Sequence, residues 1–305
     1  MVITGEINMH SINTVCERVT LDSMDDLPNF SIALDGYVKG PVIDLQNHKF
    51  SFDHHYGVIR HITSATCVQV ADALLLGFNP NNYTVYVNDV DGNTVLSVFL
   101  LLNGLNEKNV ELRWLVEGIG KVDAHGPGYI LTYYQSKTVD YFYDCVLEPL
   151  NKIKKERKYG TCDLKELLDA CLENLGSWVN NEFEITETDK KEEKSYEIYF
   201  TRNTGYSCEN FIMASSNDYC VNLLYKEGYT KFVIFQQQKD ESFAYTIRKK
   251  SEFVNFNVKE ILSELNEIEN GLGGGSTIGG APRNKDGSRS KLLPDQVLDI
   301  VKKYL

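Results

Sequence analysis

At 305 residues the chain is long for one core and comfortable for two domains. Hydrophobic residues make up 42% and charged residues 24%, the balance of a folded chain rather than a disordered one. A net charge of -12 repels long polyanions, so long duplex nucleic acid is not an expected partner. A small phosphorylated ligand stays in play, because it needs only a local cluster of metal ions, basic side chains and backbone N–H groups.

The most apolar run, Val95 to Leu102, is too short to span a bilayer and reads as core, so no membrane association is expected. The opening MVITGEINMHSINT lacks the basic start and apolar centre of a secretory signal. The seven cysteines are odd in number, scattered and free of any CxxC spacing. That argues against a disulfide framework and a zinc knuckle, and predicts reduced thiols in a cytoplasmic protein.

In chain order, the pattern predicts short strands at Arg18 to Leu21, Phe30 to Leu34 and His48 to Phe52. A helix over Thr63 to Leu76 follows, then a strand at Tyr83 to Val87 and a helix at Thr94 to Leu102. Strand, loop and helix in succession predict a largely parallel sheet flanked by helices over residues 1–142. Residues 143–194 read as linker helices ending in the charge run Glu182 to Lys194. Residues 195–305 read as a smaller α/β domain with a mixed sheet. Its expected strands are Tyr196 to Thr201, Tyr219 to Leu224, Lys231 to Gln236 and Ser242 to Arg248. A helix at Val258 to Ile268, a glycine-rich loop from Gly271 to Arg283 and a closing helix from Pro294 complete it.

The chemistry concentrates at strand ends. In parallel sheets ligands bind outside the carboxyl ends of the strands. Three expected strands end in Asp35, in Asp53-His54-His55, and in Asp89 with Asp91. Each alone reads as a turn, since Asp favours turns; three at one edge suggest a site. Carboxylates with imidazoles suit Mn²⁺ or Mg²⁺, with Asp35, His54 and Asp89 as sensible ligands. Asp53 would orient an imidazole, and His55 would protonate a leaving oxygen. The glycine loop leaves backbone N–H groups open for a phosphate, and Arg283 would add a forked donor. Without the P-loop lysine it does not predict a nucleoside triphosphatase.

Asp53-His54-His55 at a strand end, with Thr63-Ser64-Ala65-Thr66 opening a helix, resembles the third motif of the DHH phosphoesterase superfamily. Asp35, eighteen positions earlier, is similar to the second-motif acid of that family, which bridges two metals. Asn88-Asp89-Val90-Asp91-Gly92 is similar to its fourth motif, with either Asp89 or Asp91 as the matching acid. Ile247-Arg248, the helix after it and Gly273-Gly274-Gly275 resemble the DHH-associated C-terminal domain, whose glycine motif binds substrate. Together these stretches cover most of the chain. The family includes RecJ-like exonucleases, nanoRNases, phosphatases of 3'-phosphoadenosine 5'-phosphate, cyclic dinucleotide phosphodiesterases and inorganic pyrophosphatases.

The resemblance implies a hydrolase with one or two Mn²⁺ or Mg²⁺ ions, acting on a phosphodiester or phosphomonoester of a small nucleotide. Short oligonucleotides, cyclic dinucleotides and nucleoside bisphosphates are the substrates in view. Gly273, Gly274, Gly275, Ser276, Arg248 and Arg283 are the expected substrate contacts. A homodimer stays open. The chain departs from the family in two places. The first motif, a strand followed by His and two closely spaced Asp residues, does not stand ahead of Asp53; Asp22 in Leu21 to Asp26 is the nearest substitute. Ser276 stands where the family usually has His. The missing motif supports an alternative, a decayed scaffold that binds a small phosphorylated ligand as a regulator. Asp123-Ala124-His125 is a further acid–imidazole pair, read as a plain polar loop in preference to a ligand.

Overall fold

The computed structural model describes residues 12–60, 62–105, 108–126, 128–185, 195–203, 209–216, 220–282 and 288–305. The chain divides into two compact units, Met1–Thr186 and Glu187–Leu305, both mixed α/β.

In the first unit, β1 (Asn13–Cys16), β2 (Ser31–Leu34), β3 (Val42–Asp44), β4 (Lys49–Phe52) and β5 (Thr84–Val87) form a sheet in the order β1-β5-β2-β4-β3. The pairs β1–β5, β5–β2 and β2–β4 are parallel, and β3 closes the edge antiparallel to β4. Every residue of β2 and β4 is buried, as both faces of a parallel sheet are covered. On one face Ala33 packs with Met24, Leu27, Tyr37 and Val38. On the other, Ile32, Leu34, Phe50 and Phe52 meet α1 (Thr66–Leu75), α2 (Gly92–Asn103) and α3 (Val110–His125).

Helix α2 explains the most apolar run. It is buried from Gly92 to Leu101 because α1, α3 and α6 (Leu164–Asn180) surround it, so no polar face is left to give periodicity. Among the described residues no helix is long and apolar enough to cross a membrane.

Two expectations are corrected in this unit. First, the stretch from Tyr143 onward is no free linker. A π-helical turn (Phe142–Val146) follows α4 (Tyr133–Tyr141) and leads into α5 (Glu148–Lys155) and then α6. Phe142, Val146, Leu150, Leu164, Leu167, Leu168, Cys171, Leu175 and Trp178 join the core of the first unit. The apolar stripe at i, i+3 and i+4 outweighs the Lys and Glu on the outer face. Residues 186–194 of the expected charge run lie outside the described residues. Second, the expected strand at Arg18 to Leu21 is displaced to β1, and Leu21 makes only an isolated bridge to Val38.

The second unit has β6 (Glu197–Arg202), β7 (Phe211–Ser215), β8 (Lys231–Gln237), β9 (Phe243–Lys249), β10 (Gly273–Gly274) and β11 (Ile278–Gly280), ordered β10-β11-β9-β8-β7-β6. Only β7–β8 is parallel. Strand alternation splits the core. Met213, Val233 and Ile247 face α8 (Val258–Ile268) and α9 (Pro294–Lys302). Ile212, Phe232 and Ile234 face α7 (Val221–Lys226). The expected strand at Tyr219 to Leu224 is therefore replaced by α7. Its apolar residues Val221, Leu224 and Tyr225 recur at helical spacing and bury one face on the sheet.

Candidate metal centre

The carboxyl ends of β2, β4 and β5 lie along one edge of the sheet and carry Asp35, Asp53-His54-His55 and Asp89-Val90-Asp91. Asp35 takes a positive φ of 52° and Gly36 one of 84°, a tight turn that turns the chain sharply just after β2. Asp53 folds the triplet's turn. Its carboxylate accepts from the backbone N–H groups of His55 (2.8 Å), Gly40 (2.8 Å) and Tyr56 (3.1 Å), and lies 3.1 Å from His55 Nδ1. Burial alone would raise its pKa, but His55 and those N–H groups hold the carboxyl down at about 2. Asp53 is thus a fixed anion in contact with the His55 ring.

His54 is fully enclosed. Its Nε2 lies 2.8 Å from Asp123 Oδ2 and 3.3 Å from Asp35 Oδ1. His55 Nδ1 is 3.5 Å from the same Asp35 oxygen. Asp35, His54 and His55 form a cluster whose ligand atoms lie within 4.8 Å of one another. Asp35 Oδ1 also accepts from Asn93 Nδ2 at 2.8 Å and from the Thr66 hydroxyl at 2.9 Å. The buried Asn93 amide takes the Cys67 N–H on its oxygen at 2.8 Å, which ties the first turns of α1 and α2 to Asp35.

Asp123 comes from the last turn of α3. It corrects the plain-loop reading of Asp123-Ala124-His125. The acid sits on a helix packed on α1 and aims at the triplet, while the neighbouring His125 stacks on Tyr129. Arg60, half exposed, donates through Nη2 to the Asp123 carbonyl at 3.3 Å and lies 3.9 Å from its carboxylate.

Asp91 caps α2 by accepting from Thr94 N–H at 2.8 Å. Burial, then the charges of Asp35 and Asp123, push its carboxyl up to about 7. Asp89 is exposed and accepts from the next residue's own N–H at 2.7 Å. Asp22, by contrast, forms an exposed ion pair with Lys39 at 2.5 Å, so that the substitute for the first motif is engaged elsewhere.

His54 Nε2 and Asp123 Oδ2 are buried and 2.8 Å apart, an ion pair that falls outside strict hydrogen-bond geometry. Burial lowers the pKa of His54, but Asp123 and then Asp35 overcome it and hold it at about 9. A proton on His54 thus balances the carboxylates in the metal-free protein. Two carboxylate oxygens and an imidazole nitrogen converging without hydrogen-bond geometry fit a divalent cation that takes oxygen and nitrogen.

In the second unit, Gly273, Gly274 and Gly275 belong to the β10–β11 hairpin rather than to a loose loop. A Cβ on Gly274 would lie 2.2 Å from Ile278 O, on Gly279 2.3 Å from Leu262 Cδ1, and on Gly280 2.2 Å from Tyr245 O. Gly273 and Gly275 have open space where a Cβ would stand. A cavity of about 380 Å³ is lined there by Thr246, Gly273, Gly275, Gly280 and Arg289 among others. Ser276 sits at the hairpin turn. Arg248 donates from Nε to the Tyr225 hydroxyl at 3.0 Å. Arg283 lies outside the described residues.

No protein-family model matches the chain, and no curated protein matches it.

Proposed function

We propose that the chain is a divalent-metal-dependent phosphoesterase of the DHH kind, acting on a small phosphorylated or nucleotide substrate. The observation that carries this reading is the buried meeting of His54 Nε2, Asp123 Oδ2 and Asp35 Oδ1, close together but not hydrogen-bonded to one another. Asp35, His54 and Asp123 would hold one Mn²⁺ or Mg²⁺ ion, and Asp91 with Asp89 supplies acids for a second. A bound ion of this type lowers the pKa of its water and neutralises charge on a phosphoryl group.

The protein's own groups supply the rest. Asp53 keeps the His55 ring fixed through Nδ1, which leaves the other ring nitrogen to pass a proton to the leaving oxygen. Asn93 and Thr66 fix the Asp35 carboxylate, so its charge is already in place before substrate arrives.

We read the departure that favoured a decayed scaffold in a second way. A strand followed by His and two closely spaced Asp residues does not stand ahead of the triplet. β5 followed by Asp89 and Asp91 supplies the two acids but no His, later in the chain and beside β2 in the sheet. In a parallel sheet the order of strands along the chain is immaterial to which loops meet at their carboxyl ends. On this reading Asp89 and Asp91 act as the first-motif acids, and Asp123 takes the place first given to one of them.

The test is elemental analysis after purification in manganese, on wild type and His54→Ala, with phosphate release from short oligonucleotides, cyclic dinucleotides and nucleoside bisphosphates on the same samples. Near-stoichiometric metal lost with His54, together with turnover, is the expected result. Metal without turnover on any substrate moves the reading to a regulatory binding protein, and no metal at all overturns it.

A further inference from the structure

Asp89 and Asp91 flank Val90, and the segment that carries them is held at its start, its middle and its end. At the start, Asn88 Nδ2 donates to the Gly36 carbonyl at 3.0 Å and to the Thr20 hydroxyl at 3.1 Å. At the end, Asn93 Nδ2 donates to Asp35 Oδ1 at 2.8 Å. Both ends are thereby tied to the turn after β2. In the middle, the Tyr159 hydroxyl accepts from the Val90 N–H at 2.9 Å and donates to the Val90 carbonyl at 3.2 Å.

Tyr159 reaches this point from the turn between α5 and α6, far along the chain. The Val90 N–H belongs to the peptide that leaves Asp89, and the Val90 C=O to the peptide that enters Asp91. Peptide groups are planar, so one phenol that holds both atoms fixes the direction of both planes. It thereby fixes where each acid's side chain begins. Val90 is fully buried and Asp89 is exposed, so the anchor is inside and the acid at the surface. The Val90 N–H also reaches Asp89 Oδ1 at 2.7 Å. The carboxylate can turn to a cation without orphaning that buried N–H, because the phenol still accepts from it.

The ring is braced independently of its hydroxyl. Arg18, just after β1, donates to the carbonyls of Tyr159 and Cys162, and its guanidinium stands 5.7 Å from the Tyr159 ring centroid. Lys154 Nζ stands 5.1 Å from the same centroid. Cations at these distances are attracted to the ring face.

We infer that Tyr159 is a positioning residue, whose hydroxyl sets Asp89 and Asp91 to hold a second divalent cation at the Asp35 edge of the sheet. The inference rests on the phosphoesterase reading. It gives the turn between α5 and α6 a part in the site, where composition suggested only core or surface aromatics.

The experiment compares wild type, Tyr159→Phe, Asp89→Asn and Lys154→Met by calorimetric Mn²⁺ titration, with elemental analysis for ions per chain. Thermal unfolding of the metal-free proteins checks the fold. Wild type should bind two ions, and Asp89→Asn should remove one of the two binding steps, which labels that step. Tyr159→Phe keeps the ring and should weaken the labelled step roughly tenfold, as for other groups that hold a ligand from behind, with the other step unchanged. Lys154→Met alters what lies against the ring, keeps the hydroxyl, and should change neither step. Unchanged binding in Tyr159→Phe overturns the inference, because the hydroxyl then only braces a loop. Equal weakening of both steps overturns it too, as does the same loss in Lys154→Met, because general packing then accounts for the effect. Wild type that binds one ion, lost with His54→Ala and kept with Asp89→Asn, sinks this inference and leaves the metal centre standing. Wild type that binds no Mn²⁺ sinks the phosphoesterase reading itself.

Discussion

In the first unit, Asp35, His54 and Asp123 bring buried side-chain atoms to one point; in the second, Gly273 to Gly280 bring bare backbone to one edge of a sheet. The two constructions fail differently. A pocket of converging charges depends on each member, since removing one leaves the others buried and uncompensated. A glycine hairpin divides into positions that packing forbids to larger residues and positions that packing leaves free. The first kind of site is tested by removing atoms, the second by adding them.

The largest effect is expected at Asp123, the proposed ligand that the sequence places in a plain loop. Asp123→Asn keeps the shape and removes the charge from the oxygen nearest His54. Mn²⁺ affinity should fall by roughly a hundredfold or more, beyond the roughly 10- to 100-fold typical of outer-shell partners. Asp22→Asn, in the exposed pair with Lys39, should leave it unchanged. Equal losses at both positions would mean that the pocket is not the metal site.

How far the sequence could lead to this pocket depends on distance along the chain. Asp35, Asp53-His54-His55 and Asp89 follow directly from strands, and turn chemistry plus the rule for parallel sheets predicts that they share an edge. Asp123 arrives on a helix whose packing no local pattern encodes. Asn93 and Thr66 are small polar residues in the first turns of α2 and α1, where capping is the ordinary expectation; their contact with Asp35 depends on the two helix starts converging. The segment from Tyr143 onward was misread because its charged outer face is easier to see than its apolar stripe. α7 was misread because six residues span less than two helical turns, and its Val221 and Tyr225 favour strands.

The next effect concerns the metal-free protein and pH. Three groups act on three ranges. Asp53, depressed to about 2, stabilises the fold above its ordinary value of 3.8 and loses that contribution as pH falls towards 2. Asp91, raised to about 7, contributes fully below 3.8 and loses it as pH rises through 7. His54, raised to about 9, contributes fully below 6.5 and loses it as pH rises through 9. Stability without metal should therefore climb from pH 2 to about 4 and decline from there to about 9. Mn²⁺ should flatten the decline by replacing the protons, and its binding near pH 8 should release protons, measurable by calorimetry in buffers of different ionisation enthalpy. A metal-free protein whose urea midpoint rises between pH 5 and 9 would contradict this account.

The smallest effects separate the glycines of the second unit, and the contrast is the useful quantity. Gly280→Ala drives a Cβ to 2.2 Å from the Tyr245 carbonyl, a backbone atom of the adjacent strand that cannot swing aside. The strand must shift, and such overpacking costs about 1–3 kcal/mol. Gly273→Ala meets nothing within 4 Å and has no positive φ to relieve, so its stability should stay within about 0.5 kcal/mol of wild type. A glycine that neither packing nor backbone conformation requires is free for another purpose, and the new methyl at 273 would project beside the cavity that Thr246, Gly280 and Arg289 also line. Gly273→Ala should thus leave urea unfolding untouched and weaken binding of substrate to the full-length protein. If it weakens neither, the open glycines are ordinary hairpin residues, and recognition of the substrate falls to the first unit alone.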